Sequence, residues 1–262
     1  MPDLPGLRGR YPLKDNLMSK KQTGVVLGCY AYPKLAEVQV NLIRFHCGDI
    51  PILISDDCTP GYASQTPFND FVRISKTYRN VFLWSNPIRL GHGGGDLTAF
   101  YAGVFWAKMN NLKWVVKLSQ RFLFDMHNWT ERWVGEVEGT GFNLSTQPCL
   151  QGHHDFKLRT EACLLRVDPW YDAEVLNSIY PFPMNSDQIL EYYFMDQYVK
   201  YFGPNFHHTS LFGPQRYHKN AGILWHCSSS KQEYQEVAQR FGLTLDQHFD
   251  CEGWQHWKDY LR

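Results

Sequence analysis

Four short segments of this chain hold residue types that can do chemistry. In "LISDDCTPG", Asp56 and Asp57 end an apolar run. Paired acids there can accept hydrogen bonds from ribose hydroxyls or a base N–H, and the same residues are also strong turn formers. In "LGHGGGD", Gly91 and Gly93 to Gly95 let backbone approach a ligand closely. A helix starting there offers unpaired N–H groups to an anion, with His92 as a further donor. In "KWVVKLSQRFLF", an apolar run turns basic at Lys117 and Arg121, a point charge and a fork suited to phosphate. Strand alternation carried through Arg121 puts the two on one side. In "LRTEACLLR", Glu161 stands among apolar residues, a setting that raises a carboxyl pKa toward the range of a general base.

The elements between these segments must position them. "TGVVLGCYAYP" reads as a first core strand with Tyr30 at its exit. Leu35, Val38, Leu42 and Phe45 recur at helical spacing, and Gly48 suits the helix end. "DIPILISDD" is a second strand and "NVFLWSN" a third, with a short helix or loop between them. Gly91 to Gly95 read as a loop and Asp96 as an N-cap. Leu97, Phe100, Tyr101, Val104, Phe105 and Lys108 form the stripe of the helix that follows. Buried strands alternating with helices predict an α/β, mostly parallel sheet flanked by helices, whose ligands bind at the carboxyl ends of the strands.

The second half is less regular. "GFNLSTQPCL" and "FKLRTEACLLRVDPW" read as strands of a mixed or antiparallel sheet. "NSDQILEYYFMDQYVKYFGP" reads as a helix with Asn185 and Gln188 as a capping box, Ile189, Tyr193 and Phe194 as its stripe, and Gly203-Pro204 as its stop. "AGILWHC" is a late strand. A last helix buries Tyr234, Val237, Ala238 and Phe241 and ends at Gly242. The expected organisation is a tail over residues 1–22 and one domain over 23–262, with a ligand-binding half at 23–124 and a second half at 125–262.

Composition narrows the function classes. Hydrophobic content of 44% supports a real core. Aromatics make up 16% of residues, with nine Trp, which fits a site that stacks on sugar rings or bases. Trp170, Tyr171, Tyr180, Phe182 and Tyr192 are candidates for that platform or for the core. A net charge of zero argues against a nucleic-acid partner. Seven cysteines without a CxxC pair do not form a disulfide framework, and the segment "MPDLPGLRGRYPLKDN" lacks a signal-peptide core. No run approaches ~18 apolar residues, so no transmembrane segment is expected and a cytoplasmic location is. His153-His154, His207-His208 and His226-Cys227 match no zinc spacing.

With these residues placed, residues 23–124 resemble the nucleotide-binding half of GT-A-fold glycosyltransferases, and the likeness continues more loosely to about residue 225. It rests on the Tyr-containing exit "GCYAYP", the acid-ended strand "LISDD" and the segment "GHGGGDLTAFYAGVFWAKMNNLKWVVKL". The resemblance implies a sugar transferred from a nucleotide sugar to a glycan or lipid-linked acceptor, in a GT-A-like Rossmann-type architecture. It departs at one point. The family usually carries Asp-x-Asp at the end of the fourth strand, and this chain has Ser119-Gln120-Arg121. The resemblance then points to members that work without metal or other cofactor and use basic residues. It implies Tyr30, Asp56 and Asp57 for the nucleoside, and His92, Gly93, Gly94, Gly95, Lys117 and Arg121 for the phosphates. It also implies an inverting base at the start of a second-half helix, Asp187 or Glu191, beside Glu161. Peripheral contact with a membrane is compatible with it. A sugar nucleotidyltransferase and a non-catalytic carbohydrate-binding protein are the alternatives. The first would want a basic, glycine-rich segment after the first strand, which "GCYAYPKLAEV" lacks.

Overall fold

The computed structural model describes residues 22–59, 67–147, 160–172, 175–179, 190–212, 222–225 and 229–245. Three β/α repeats open it. Strand β1 (Thr23–Cys29) leads to helix α1 (Pro33–Cys47), β2 (Ile52–Asp56) to α2 (Pro67–Thr77), and β3 (Val81–Ser85) to α3 (Gly91–Met109). Strand β4 (Trp114–Ser119) follows. Its exit turns into β5 (Leu123–Phe124) and α4 (Trp129–Val137). The rest contributes β6 (Leu144–Thr146), β7 (Ala162–Arg166), α5 (Val167–Asp172), α6 (Val175–Ile179), α7 (Leu190–Phe202), β8 (His207–His208), a 3₁₀ turn at Ser210–Phe212, β9 (Ile223–Leu224) and α8 (Lys231–Gln239).

Seven strands form one sheet in the order β3-β2-β1-β4-β7-β6-β8, and β5 pairs with β9 beside it. The β3-β2-β1-β4 block is parallel. Strand β7 is antiparallel to both β4 and β6, while β6 and β8 run parallel. The expectation of a parallel first half and a mixed second half is met. Strand β1 is the centre of the block because its run of Val25, Val26 and Leu27 is fully buried from both faces.

One apolar cluster joins α1, α2 and α4 to one face of the sheet through Val25, Leu27, Ile54, Phe71 and Trp133. Another joins α3 and α5 to α7 to the opposite face through Val26, Phe100, Val115, Trp170 and Phe194. A smaller cluster packs Tyr234, Val237 and Ala238 of α8 on Leu35, Val38 and Leu42 of α1. Gly48 ends α1 at φ 73°, its N–H bonded to the Arg44 carbonyl, as expected of a glycine stop.

Several expectations are corrected. Phe45 is 46% exposed and leaves the α1 stripe, and Phe105 is 41% exposed and leaves that of α3. Between β2 and β3, where the sequence left a short helix or a loop open, the chain forms the helix, α2, so that expectation stands. Helix α3 begins at Gly91, so Gly91 to Gly95 are its first turns and Asp96 is not its N-cap. Glycine is a poor helix former, and the helix extends through this run because the Asp57 carboxylate accepts hydrogen bonds from the N–H groups of Leu90 (2.9 Å) and Gly91 (3.0 Å). Those are orphan donors of a helix start, and a carboxylate from another strand satisfies them. Strand β4 ends at Ser119 with a turn at Gln120 and Arg121, so Lys117 and Arg121 do not share a strand face.

Candidate functional site

The carboxyl ends of β1 to β4 lie side by side, and internal hydrogen bonds hold their loops. Asp56 is fully buried and accepts from Thr59 N (3.0 Å), Thr59 Oγ1 and Ser85 Oγ (2.8 Å). Burial pushes its carboxyl pKa up, against the pull of the Thr59 and Ser85 hydrogen bonds. Asp57, also buried, accepts from Asn86 Nδ2 (3.1 Å) besides Leu90 and Gly91. Both acids turn inward and pin loops. The turn-forming reading of "DDCTPG" describes these contacts, and in this structure the Asp56 and Asp57 carboxylates that were expected to meet a nucleoside are bonded to the protein's own loops.

The exit of β1 is held from two sides. Ala31 N donates to Thr59 Oγ1 at 2.9 Å. The Gln120 amide accepts from Tyr30 N (3.0 Å) and donates to the Tyr32 carbonyl (2.8 Å). Ala31 and Cys58 sit at φ 60° and 56°, left-handed conformations that such residues adopt only where neighbours hold them. On this frame, the Arg89 guanidinium stands 4.0 Å over the Tyr30 ring. Arg89 is exposed and Tyr30 half-buried, so the pair faces solvent at the mouth of the strand ends.

Beneath the mouth lies a buried charge pair. Lys117, fully buried, donates to Asp96 Oδ1 on α3, to Ser119 Oγ (3.0 Å) and to the Thr160 carbonyl (2.8 Å). Ser119 Oγ donates to the same Asp96 oxygen at 2.8 Å. An ammonium has three protons, and all three are used. Lys117, expected to meet a phosphate, is in this structure buried and bonded to the protein's own groups. Arg121 differs. Its carbonyl accepts from Tyr234 Oη, while its half-buried guanidinium makes no hydrogen bond or ion pair among the described residues.

Of the other predicted site residues, Gly94 and Gly95 lie in the first turns of α3. A Cβ on Gly95 would fall 2.7 Å from the Asp57 carboxyl carbon, so this glycine permits the contact that starts the helix. His92 and Gly93 belong to the same turns, and the His92 side chain lies outside the description, as does that of Glu191 in the first turn of α7. Asp187, Tyr180, Phe182, His153, His154 and His226 lie outside the described residues altogether. Glu161 is half-buried and immediately precedes β7, and its carbonyl accepts from Ser119 N at 2.7 Å. The antiparallel register of β4 and β7 thus brings it beside the end of β4. Trp170 is fully buried against Phe194, Tyr198 and Phe202, which makes it core. His207 lies on β8 beside Ser145, remote in topology from the β1–β4 ends.

Sequence reasoning missed Arg89, Gln120 and Asp96 as site residues. Arg89 stands two residues before the glycine run in "IRLGHGGG", a cation close to a helix start, and that was the available signal.

No protein-family model and no curated protein matches the chain. Solved structures share its architecture. The galactosyltransferase LgtC, in complex with donor and acceptor sugar analogs, aligns with a TM-score of 0.52 at 11% identity over 89% of this chain and 99% of that one. The apo form of the glycosyltransferase GlyE from Streptococcus pneumoniae TIGR4 gives 0.50 at 12% identity over 72% of this chain and 45% of that one. The mannosyltransferase PcManGT from Pyrobaculum calidifontis, in complex with GDP-Man and Mn2+, gives 0.47 at 14% identity over 69% of this chain and 52% of that one. The chain thus spans about half the length of the last two. The likeness is one of fold, and the fold is of the GT-A type.

Proposed function

We propose that this chain is a glycosyltransferase that moves a sugar from a nucleotide-sugar donor to a hydroxyl of a glycan or lipid-linked acceptor, with inversion and without a metal. The observation that carries the reading is the pair Arg89 and Arg121. Two guanidiniums without an acidic partner among the described residues stand at the carboxyl ends of the sheet, on loops that buried acids and amides hold in place. That is where ligands bind in sheets of this topology. The shared fold with LgtC, itself solved with donor and acceptor sugar analogs, supports the class.

The division of labour follows from the chemistry. As the glycosidic bond breaks, the departing nucleotide phosphate gains negative charge, and preorganised cations stabilise it. A hydrogen bond to a charged group contributes about 1.5–3 kcal/mol, so two arginines supply a useful share of the barrier reduction. The first turns of α3 add the positive end of a helix. Tyr30 offers a ring face to the base. Glu161 is our candidate for the base that takes the acceptor proton, with Asp187 and Glu191 as the other acids to test.

The donor atoms at the end of β4 do not suit a divalent cation. Ser119 Oγ donates to Asp96, both ends of the Gln120 amide are bonded to backbone, residue 121 is a cation, and Lys117 already neutralises Asp96. A thermal-shift panel of sugar nucleotides, with and without EDTA, tests the reading, because a ligand that binds only the folded state raises the melting temperature. A shift that survives EDTA is expected. Its loss in EDTA would end metal independence, and no shift with any nucleotide would end the donor site. Release of nucleoside diphosphate on adding acceptor, absent in Arg121→Ala, separates an enzyme from a binding protein.

A further inference from the structure

The turn that carries Arg121 is held by side chains at four successive residues. Gln39 Nε2 of α1 donates to the carbonyls of Ser119 (3.2 Å) and Phe122 (2.8 Å). The Gln120 side chain bonds the β1 exit. The Arg121 carbonyl accepts from Tyr234 Oη, and this contact comes from α8, 113 residues along the chain. Tyr234 is fully buried between α1 and α8.

Helix α8 is itself anchored next to the turn. Strand β9, just before it, pairs with β5, just after the turn, through Leu224–Leu123 and Ile223–Phe124. Arg240, at the end of α8, makes a two-pronged contact to Asp125, with Nη2 to Oδ1 at 2.9 Å, and Asp125 also bonds His46 Nε2 of α1 at 2.7 Å. The Ser230 capping box fixes the other end of α8.

We infer that Tyr234 is a positioning residue of the donor site: by holding the Arg121 carbonyl it aims the Arg121 guanidinium at the nucleotide diphosphate, and α8 thereby becomes part of the nucleotide-binding machinery. The inference rests on the reading of Arg121 given above. Buried side chains of α1 and α8, Gln39 and Tyr234, bond the turn's carbonyls and restrict its backbone, and a guanidinium carried on a restricted backbone loses less freedom on binding an anion. The deleted hydroxyl of Tyr234→Phe leaves the ring packed and frees the carbonyl, so the turn gains alternatives without losing its core.

A double-mutant cycle on the full chain, with UDP and GDP as probes in titration calorimetry, tests it. Tyr234→Phe is expected to weaken the nucleoside diphosphate that wild type binds by about tenfold. The weakening should vanish in the Arg121→Ala background, because the two changes act through one group. If Arg121→Ala binds too weakly to complete the cycle, Arg121→Lys takes its place. Asp125→Asn, which loosens α8 without touching the turn, should give a smaller loss with the same dependence on Arg121, and it serves if Tyr234→Phe fails to fold. Unchanged affinity in Tyr234→Phe, or an equal loss with and without Arg121, overturns the inference, since a merely structural tyrosine would move stability and not the coupling. Wild type that binds neither probe overturns the donor-site reading itself, and this inference with it.

Discussion

Lys117 Nζ, near the end of strand β4, is bonded to Asp96 Oδ1 on helix α3, and the pair is largely shielded from solvent: the lysine side chain is 0% exposed and the aspartate 12%. This pair ties the sheet to the helix that opens the candidate site. Breaking a buried pair from one side leaves an uncompensated charge and costs about 3–5 kcal/mol, whereas removing both partners is far milder. Lys117→Met is therefore expected to lower unfolding free energy by that amount in urea titrations. Lys117→Met with Asp96→Leu should recover most of it. If the single and double variants are equally unstable, the pair is not what holds the two elements together.

Among the described residues, Arg89 makes no bond that supports the fold beyond its stacking on Tyr30. Arg89→Ala is expected to leave the melting temperature unchanged and to weaken sugar-nucleotide binding about tenfold, the loss of one charged contact. Equal affinity in the variant would remove Arg89 from the site.

Gly95 and Gly135 make a matched comparison. A methyl on Gly95 would collide with the buried Asp57 carboxyl at 2.7 Å, while one on Gly135, exposed in α4, meets nothing within 4 Å. Gly95→Ala should destabilise by about 1–3 kcal/mol as Asp57 is forced off Leu90 and Gly91. Gly135→Ala should stabilise by about 0.5–1 kcal/mol through helix propensity. Thermal denaturation of both variants checks the pair, and a neutral Gly95→Ala would show that Asp57 has room to move.

The contacts with His46 and Arg240 hold the Asp125 carboxyl well below its usual value of 3.8, with His46 the larger cause. A depressed carboxyl contributes stability that is present above its unfolded pKa and lost as pH falls through the folded one. The Asp125 contribution should therefore persist at neutral pH and fade as pH drops below about 4. Asp56 acts in the opposite sense, since burial raises its pKa and protonation favours the fold. The difference between wild type and Asp125→Asn isolates the first: a gap at pH 7 that narrows below pH ~4 is expected. A gap independent of pH would mean the ion pairs are not its source.

The sheet was legible because its signals are local. A run such as Val25-Val26-Leu27 is apolar on both faces, and that property alone makes a central parallel strand. Gly48, Gly203 and Gly242 announce helix ends for an equally local reason, each adopting a positive φ at its helix's close. The sites of Asp56, Lys117 and Arg121 were legible as positions, at strand exits where such folds bind ligands.

What each of those side chains does was set elsewhere. Sequence alone determined the α/β alternation, the strand exits and the residue types there, because hydrophobic period and turn chemistry are read within a few residues. Only the tertiary structure decided that Lys117 is neutralised by Asp96, that Asp57 caps a glycine-rich helix, that Arg89 stands over Tyr30 and that Tyr234 holds Arg121. Those assignments depend on which polar groups are buried together across 21, 34, 59 and 113 residues of chain, by subtraction of their numbers. Buried polar groups take the partners that topology brings within reach, and no local pattern records that.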